Sequence, residues 1–330
     1  MSSGKGVILS GMRPTGRLHL GNYLGALKNW VKLQDEYECF FLIADWHALM
    51  SEYERADRLR ENSLDMLCVW LASGLDPERC VMFRQSDICQ HLELFFILSA
   101  LTPVSWLERC PTYKEAVENS STKDIANYAF LGYPALQAAD IALYRAGHVP
   151  VGVDQLPHLE FTREIVRRFN NFYGGDLIPE PEPVLTEVVK LSGTDSRKMS
   201  KSYGNTILIT EEPKELSRKI NSMVTDPGRA RASDPGNPEI CTVFEYHKIF
   251  SPEALPAVES ACRNAERGCV ACKKELGLNL EKLISPIREK YLYYKENSDK
   301  VTKILEEGNS RASSRARENM RIFRKAMRYE

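Results

Sequence analysis

The sequence lacks any long apolar run. In its 330 residues there is no stretch of about 18 uncharged apolar residues, the length that an α-helix needs to cross a bilayer. The first six residues also lack the basic and then apolar pattern of a secretory signal, and repeats and low-complexity tracts are missing. With 43% hydrophobic and 27% charged residues, the composition excludes a disordered, collagen-like or coiled-coil protein. We therefore expect a cytoplasmic globular protein of about two domains with no membrane partner.

Net charge is also nearly absent, because 44 basic side chains oppose 45 acidic ones and leave a formal charge of −1. Basic residues are concentrated between positions 308 and 330, where seven of them accompany two acidic residues. That distribution is compatible with a polyanionic partner. A solvated helix face explains it equally well, so both interpretations stay open.

Nine cysteines are present, and an odd number in a chain expected in the cytoplasm argues against a framework of disulfides. Four of them lie late in the chain: Cys241, Cys262, Cys269 and Cys272. The intervals between them are 20, 6 and 2 residues. Four thiolates can bind Zn²⁺ or an iron–sulfur cluster. The single CxxC pair is closer to the spacing of a cluster than to the paired knuckles of zinc sites, but zinc and unligated thiols stay as alternatives.

Short apolar strands alternate with amphipathic helices in the first half of the chain. The predicted strands are Gly6–Ser10, Cys39–Ala44, Cys80–Phe83 and His148–Val153. The predicted helices are one that begins near Leu20, Arg55–Ala72, Ile125–Arg145 with a break near Gly132, and Leu156–Phe172. This alternation predicts an α/β fold, with a Rossmann-like parallel sheet and helices on both of its faces.

The second half of the chain has a different pattern. Gly174–Pro183 is rich in glycine and proline and is predicted to be a loop, and helical patterns dominate from Pro213 onward. We therefore predict an α/β domain over residues 1–205. A mostly helical domain over residues 206–330 follows it and contains the four late cysteines.

The segment Pro14-Thr15-Gly16-Arg17-Leu18-His19-Leu20-Gly21-Asn22 joins the first predicted strand to the first predicted helix. A loop that ends at a helix N-terminus presents free backbone N–H groups, which suit phosphate. Gly16 and Gly21 carry no Cβ and let a flat ring or a phosphate approach the backbone. His19 and Asn22 are three residues apart, so they project from one face at the start of a helix. Taken alone, the segment is also explained by a turn with a hydrogen-bonded histidine.

A second polar segment, Lys198-Met199-Ser200-Lys201-Ser202, lies between Gly193 and Gly204. Its two lysines form a cationic loop that can neutralise the negative charge that develops on a triphosphate as it is cleaved. An ordinary exposed basic loop would explain this segment if it stood alone. The two segments are about 180 residues apart, and their joint occurrence in this order is what makes them informative.

Together the two segments resemble the two signatures of class I aminoacyl-tRNA synthetases. HLGN is similar to the first signature, HIGH, and KMSKS matches the second without a change. The segments SGMRPTGRLHLGNYLGALKNW, ADWHAL, GYPALQAADIALY and VPVGVDQLPHLEFTREIVRRFN resemble bacterial tryptophanyl-tRNA synthetases. The likeness covers about residues 7–230 and, more weakly, the rest. Tyrosyl enzymes usually end the first signature in His, where this chain has Asn22.

The resemblance implies a reaction in two steps. L-Tryptophan and ATP, accompanied by Mg²⁺, give tryptophanyl-adenylate and pyrophosphate, and the acyl group then passes to tRNA(Trp). It also implies a homodimer, and it assigns residues 1–205 to catalysis and 206–330 to tRNA anticodon binding. A subset of these enzymes carries a 4Fe-4S cluster in the C-terminal domain, which favours a cluster over zinc at the four cysteines. A tyrosyl-type synthetase, another nucleotidyltransferase with an HxGH signature and a non-catalytic tRNA-binding paralogue stay as alternatives.

The resemblance also assigns roles to particular positions. The catalytic residues are His19, Asn22, Lys198 and Lys201. The ATP-binding residues are Arg13, Pro14, Thr15, Gly21, Asn22, Gly152, Val153, Asp154, Val189, Lys198, Met199, Ser200, Lys201 and Ser202. The tryptophan-binding residues are Tyr133, Gln137, Asp140 and Gln155. Asp140 is expected to accept the indole N–H, since indole can only donate. The two signatures must lie side by side in the folded chain if they share a pocket.

Overall fold

The structure is a computed structural model that describes residues 5–110, 113–114, 127–185 and 191–330, without the side chains of Asp154 and Ser202. The chain divides into two compact units. The first unit contains Met1–Arg17, Asn29–Glu187 and Asn297–Glu330, and the second contains Leu18–Lys28 and Val188–Glu296. Because these units are defined by contacts and not by activity, the functional division between residues 205 and 206 stays a prediction.

A five-stranded sheet forms the centre of the first unit. Its strands are β1 (Val7–Met12), β2 (Glu38–Ile43), β3 (Cys80–Arg84), β4 (His148–Val151) and β5 (Glu182–Leu185). Their order is β3-β2-β1-β4-β5, and every neighbouring pair is parallel. Strand β2 is buried from Cys39 to Ile43, as expected for a strand that is covered on both faces. The predicted parallel α/β sheet is therefore confirmed.

Helices occupy much of the rest of the described chain. They are α1 (Leu20–Asn22), α2 (Lys28–Leu33), α3 (Asp45–Glu52), α4 (Leu59–Ala72), α5 (Gln90–Ala100), α6 (Val104–Leu107), α7 (Tyr128–Leu131), α8 (Tyr133–Leu143), α9 (Leu156–Tyr173), α10 (Pro213–Ser222), α11 (Thr242–Phe250), α12 (Leu255–Arg263), α13 (Cys269–Glu296) and α14 (Ser298–Ala326). The predicted helical structure after Pro213 is confirmed. Within the described residues, no helix combines the length and the apolar character that a bilayer crossing requires.

Helix α14 returns to the first unit and packs against β3. The approach is so close that a Cβ on Gly308 would lie 1.8 Å from the carbonyl oxygen of Met82, and only glycine permits it. Several basic side chains of this helix have partners in the same unit. Arg315 donates to Glu38 over 2.7 Å, and Arg324 donates to both carboxylate oxygens of Glu93 over 2.6 Å. Part of the C-terminal basic cluster is therefore engaged in intramolecular ion pairs.

Several predicted boundaries were wrong. The strand predicted to end at Val153 ends at Val151, and Val153 begins a 3₁₀ segment. Glu182 and Pro183, predicted as the end of a loop, belong to β5, because a short, partly exposed strand at the edge of a sheet tolerates proline and shows little apolar pattern. The helix predicted from Arg55 begins instead at Leu59, after a 3₁₀ segment (Tyr53–Arg58) in which Arg55 has non-helical dihedral angles. The first two residues of the predicted helix Ile125–Arg145 lie outside the described residues.

Candidate active site

Asp140 lies at the centre of a buried polar network in the first unit. It is on α8 and only 3% exposed. Gln85 donates from Nε2 to both of its carboxylate oxygens, over 2.8 and 2.9 Å. His91 Nδ1 lies 2.6 Å from Oδ1, and His47 Nε2 lies 3.0 Å from Oδ2. Three side chains thus make four close contacts with the carboxylate, which compensates for its burial.

Neighbouring groups fix the donors of this network. The second ring nitrogen of His91 lies 3.0 Å from the Tyr144 hydroxyl, and the Gln85 side-chain oxygen accepts from the Trp46 backbone N–H over 3.1 Å. Burial by itself raises the pKa of Asp140, but the hydrogen bond from His47 and the charge and hydrogen bond of His91 outweigh it and lower the pKa to about 2. Asp140 is therefore ionised at neutral pH.

The other predicted tryptophan-binding residues occupy nearby positions in the first unit. Tyr133 and Gln137 precede Asp140 on α8 by seven and three residues, so all three share one helix face. The Tyr133 hydroxyl lies 3.2 Å from Cys110 Sγ and 3.3 Å from His158 Nδ1. Gln155 ends the 3₁₀ segment Val153–Gln155 and is exposed. The structure thus groups Tyr133, Gln137 and Asp140, whereas Gln155 follows the sheet on a separate segment.

Three polar residues of this network were not predicted as site residues: His47, Gln85 and His91. A signal was available for two of them. His47 follows β2 closely, and Gln85 follows β3 directly. Because β2 and β3 are parallel neighbours, polar residues after their carboxyl ends meet at one edge of the sheet, where ligands of α/β proteins bind. His91 lies on α5 and had no comparable signal.

Several predicted ATP-binding residues follow two neighbouring strands of the first unit. Arg13, Pro14 and Thr15 come directly after β1, and Gly152 and Val153 come directly after β4. Strands β1 and β4 pair in parallel, so the two loops leave the same edge of the sheet. Arg13 and Val153 are exposed and Pro14 is buried. The side chain of Asp154 is not described, and Val189 lies outside the described residues.

The two signatures meet in the second unit. The backbone N–H of Leu20 donates to Ile207 over 2.9 Å, and that of Ile209 donates to Leu18 over 3.1 Å. His19 and Leu208 form an antiparallel bridge between these two hydrogen bonds. The segment that holds the first signature therefore pairs with the segment that directly follows KMSKS. The prediction that the two signatures lie side by side is confirmed.

His19 faces this junction. The Asn22 side-chain oxygen accepts from the His19 backbone N–H over 3.1 Å. A Cβ on Gly21 would lie 3.0 Å from the His19 ring and 3.7 Å from Met199 Sδ, so a larger residue there would crowd both signatures. Burial and, second, the charge of Lys201 lower the pKa of His19 to about 4. The ring is therefore neutral at neutral pH and can donate a hydrogen bond without adding charge.

The lysines of the second signature are exposed, and the residue between them is not. Lys198 and Lys201 are exposed, Met199 is 6% exposed, and Ser200 is half-buried. Lys201 begins a 3₁₀ segment (Lys201–Tyr203) that ends at Gly204, whose φ of +64° favours glycine. The side chain of Ser202 is not described. The loop thus offers two cations on a backbone that is anchored by the buried Met199.

All four late cysteines line one cavity in the second unit, together with Arg229. Arg229 Nη1 lies 3.9 Å from the Sγ atoms of both Cys262 and Cys269, and Cys272 Sγ lies 3.4 Å from His247 Nε2. Burial raises the pKa of Cys262, and it raises that of Cys272 to about 12. Even so, no group of three or more Cys, His, Asp or Glu side chains in the described part of the chain is arranged to hold a single metal ion.

Comparisons with known proteins give one consistent result. The family model for class I tRNA synthetases (W and Y) matches residues 1–285. A tryptophan–tRNA ligase of Thermotoga maritima is 49% identical over 97% of this chain and 98% of its own length, and that of Aquifex aeolicus is 40% identical over 97% and 99%. The crystal structure of a Campylobacter jejuni tryptophanyl-tRNA synthetase, complexed with ADP and tryptophan, matches with a TM-score of 0.88 at 35% identity, over 97% of this chain and 99% of that one. The chain therefore belongs to the tryptophan–tRNA ligases among the class I tRNA synthetases.

Proposed function

We propose that this chain activates L-tryptophan with ATP, releases pyrophosphate and transfers the tryptophanyl group from the adenylate to tRNA(Trp). The observation that carries the proposal is the pairing of the HLGN segment with the segment after KMSKS. Adenylate formation needs no covalent enzyme intermediate. The protein accelerates it by holding the carboxylate of tryptophan in line with the α-phosphate and by stabilising the charge that moves onto pyrophosphate.

The residues of the second unit would handle the triphosphate. Lys198 and Lys201 would neutralise the leaving pyrophosphate, and neutral His19 would donate a hydrogen bond to a phosphate oxygen. Asn22 and Gly21 would meet the nucleotide at the start of α1, and Met199, Ser200 and Ser202 would contribute loop contacts. Mg²⁺ would arrive on the triphosphate, because this ion is usually held by substrate phosphates and few protein groups.

The residues of the first unit would select tryptophan. Asp140 would accept the indole N–H, Gln137 would lie along the ring, and Tyr133 and Gln155 would bind the amino and carboxylate end. Arg13, Pro14, Thr15, Gly152, Val153, Asp154 and Val189 would bind the nucleoside part of ATP. A site that is built to hydrogen-bond a substrate N–H rejects an analogue without it, such as phenylalanine, by roughly 10⁴-fold or more.

An assay of pyrophosphate exchange tests this function. Exchange is measured with tryptophan, with tyrosine and without an amino acid, each with Mg²⁺ and ATP. We expect exchange with tryptophan alone. Exchange with tyrosine would indicate the tyrosyl-type alternative, and exchange without either would indicate another nucleotidyltransferase. A complete lack of exchange, with tRNA still bound, would identify the non-catalytic paralogue.

The four cysteines would hold a 4Fe-4S cluster. The four cysteines line one cavity, and Arg229 beside two of their sulfurs would offset the negative charge of the thiolates. The spacing of the cysteines, with a single CxxC pair, favours the cluster over zinc. The cluster would have a structural role in the helical region and would supply no chemistry to adenylate formation.

Metal analysis tests the cluster. Protein purified without oxygen is expected to be brown and to contain about four iron and four sulfide ions per chain. Replacing Cys262 or Cys272 with serine should abolish both the colour and the iron, whereas serine at Cys89, an exposed cysteine of the first unit, should leave them unchanged. Colourless protein with one zinc ion per chain would support the zinc alternative.

Two further predicted partners, a second copy of the chain and tRNA, would bind at the protein surface. Leu92 and Phe96 are 40% and 77% exposed and share one face of α5, a surface that a second copy of the chain would cover. We expect a homodimer, which Phe96→Glu should dissociate in sedimentation experiments, whereas Tyr329→Glu, at a residue equally exposed, should not.

The exposed Arg317, Arg321 and Lys325 of α14 would contribute to tRNA binding. A cytoplasmic location stays a prediction.

A further inference from the structure

Asn205 is almost fully buried beside the second signature. It is 2% exposed and lies between the 3₁₀ segment Lys201–Tyr203 and the strand-like pairing at Leu208. Burial of a primary amide is unfavourable unless its donors and acceptor are satisfied. The partners of Asn205 therefore indicate what the residue does.

Its side chain binds the backbone on both sides of Met199. The side-chain nitrogen donates to the carbonyl oxygen of Lys198 over 3.1 Å, and the side-chain oxygen accepts from the backbone N–H of Ser200 over 2.8 Å. The nitrogen also donates to Asp195 Oδ1 over 2.7 Å. The nitrogen and the oxygen of this amide thus both form their hydrogen bonds with the loop of residues 193–204.

The rest of the loop is arranged around this amide. The Thr194 backbone N–H donates to the carbonyl oxygen of Asn205 over 3.0 Å. A Cβ on Gly193 would lie 2.2 Å from the Asn205 side-chain nitrogen and 2.3 Å from Cγ, so the amide occupies the space that only glycine leaves free. Asp195 accepts from Asn205 at Oδ1. At Oδ2 it accepts from Nη2 and Nε of the Arg197 guanidinium, over 2.6 and 2.8 Å.

The loop is also tied to α11 at its base. Glu245 accepts from the Ser192 backbone N–H over 2.8 Å, and the Tyr246 hydroxyl donates to the Ser192 carbonyl over 2.7 Å. These contacts fix where the loop begins. Ser192 also pairs with Lys198 in an antiparallel bridge, and Asn205 holds the backbone from Lys198 to Ser200, directly before Lys201.

We infer that Asn205 is a positioning residue for adenylate formation: it sets the backbone of Lys198–Ser200 so that the ammonium groups of Lys198 and Lys201 meet the triphosphate in the transition state. The inference rests on the proposed function. Interactions that count only in the transition state affect the rate of the chemical step and leave ground-state binding nearly unchanged. A displacement of about 1 Å at such a site costs on the order of 100-fold in rate.

The test compares three variants. Asn205→Ala removes all three hydrogen bonds, and Asn205→Asp keeps the shape but turns two donors into acceptors that face Asp195 and the Lys198 carbonyl. Asn170→Ala is the matched control, because Asn170 holds the backbone N–H and carbonyl of Ile178 in the same way, in the first unit. Single-turnover adenylate formation, tryptophan affinity and the melting temperature are measured for each.

We expect Asn205→Ala to slow adenylate formation about 100-fold, with tryptophan affinity within about twofold of the wild type. Asn205→Asp should be slower still, and Asn170→Ala should form adenylate at the wild-type rate. Equal rates in wild type and Asn205→Ala would overturn the inference. So would parallel losses of tryptophan affinity and rate, which a general loss of folding would produce.

A double-variant cycle separates action through the lysines from any other cause. If Asn205 works by placing the two lysines, Asn205→Ala should slow the reaction clearly less in the Lys201→Ala background than in the wild type. Full additivity of the two losses would contradict the inference. Failure of the proposed function is distinguishable, because wild-type protein would then show no tryptophan-dependent pyrophosphate exchange at all.

Discussion

The network around Asp140 and the loop around Lys198 and Lys201 differ in how their charges are placed, since one charge is buried and the other two are exposed. In the first unit a buried negative charge is held by three side chains that make four close contacts with it. In the second unit two lysines are exposed, and the backbone from Lys198 to Ser200 is held by hydrogen bonds to a buried amide. The first arrangement suits recognition of a substrate that brings one donor. The second suits charge that appears only during the reaction.

We expect the largest effect at Asp140. This prediction tests whether the buried carboxylate serves to recognise tryptophan. Asp140→Ala should reduce kcat/KM for tryptophan by roughly 10³- to 10⁴-fold, because in the proposed function Asp140 accepts the indole N–H. Affinity for ATP should stay within about twofold. Pyrophosphate exchange as a function of tryptophan concentration, with ATP binding measured separately, checks both statements.

Asp140→Asn serves as the second variant, because it keeps one acceptor oxygen and nearly the same shape. Its loss should lie between those of wild type and Asp140→Ala. Melting temperatures of both variants show whether the fold is destabilised when His47, Gln85 and His91 lose the carboxylate as their partner. Near-normal tryptophan-dependent exchange by Asp140→Ala would refute the assignment.

The second effect tests the exposed charges. Lys201→Ala should slow single-turnover adenylate formation by about 100-fold or more, since a cation that stabilises the leaving pyrophosphate is lost. Tryptophan affinity should remain close to that of the wild type. Lys214→Ala, at an exposed lysine on α10 of the same unit, is the control. An unchanged rate in Lys201→Ala would remove this residue from the chemistry.

The third effect tests whether the Asp140 network depends on its unpredicted members. Gln85→Leu removes the donor to both carboxylate oxygens and the acceptor for Trp46, at a side chain that is 0% exposed. We expect a loss of about 1–3 kcal/mol in unfolding free energy and a rise of about tenfold in KM for tryptophan. Urea unfolding and exchange kinetics measure the two. Wild-type values of both quantities would show that His47 and His91 are enough to hold the Asp140 carboxylate in place.

The two regions also differ in how far the sequence could predict them. Apolar runs and helical spacing were enough for β1 to β4, and the joint signatures predicted which distant segments meet. Asp140 could be chosen because the family resemblance assigns it to tryptophan binding and its neighbours on the helix are apolar. Its partner His91 and the loop residue Asn205 could not, because their roles come from hydrogen bonds between segments that no local pattern encodes. Strand β5 was missed because an edge strand needs only one paired side and little apolar character.

The smallest expected effect concerns His19 and the pH dependence of stability. Burial and the charge of Lys201 lower its pKa from 6.5 to about 4. Between these pH values the unfolded chain binds a proton that the folded chain does not, so this contribution is fully present above pH 6.5 and is lost as the pH falls toward 4. The loss between neutral pH and about pH 5 should be about 1 kcal/mol larger in wild type than in His19→Gln, because the partly exposed ring realises only part of the shift. Lys201→Ala should fall between the two, since one of the two causes is removed. Urea unfolding of the three proteins at both pH values measures this, and equal losses would mean that the ring takes up its proton as readily in the folded chain as in the unfolded one.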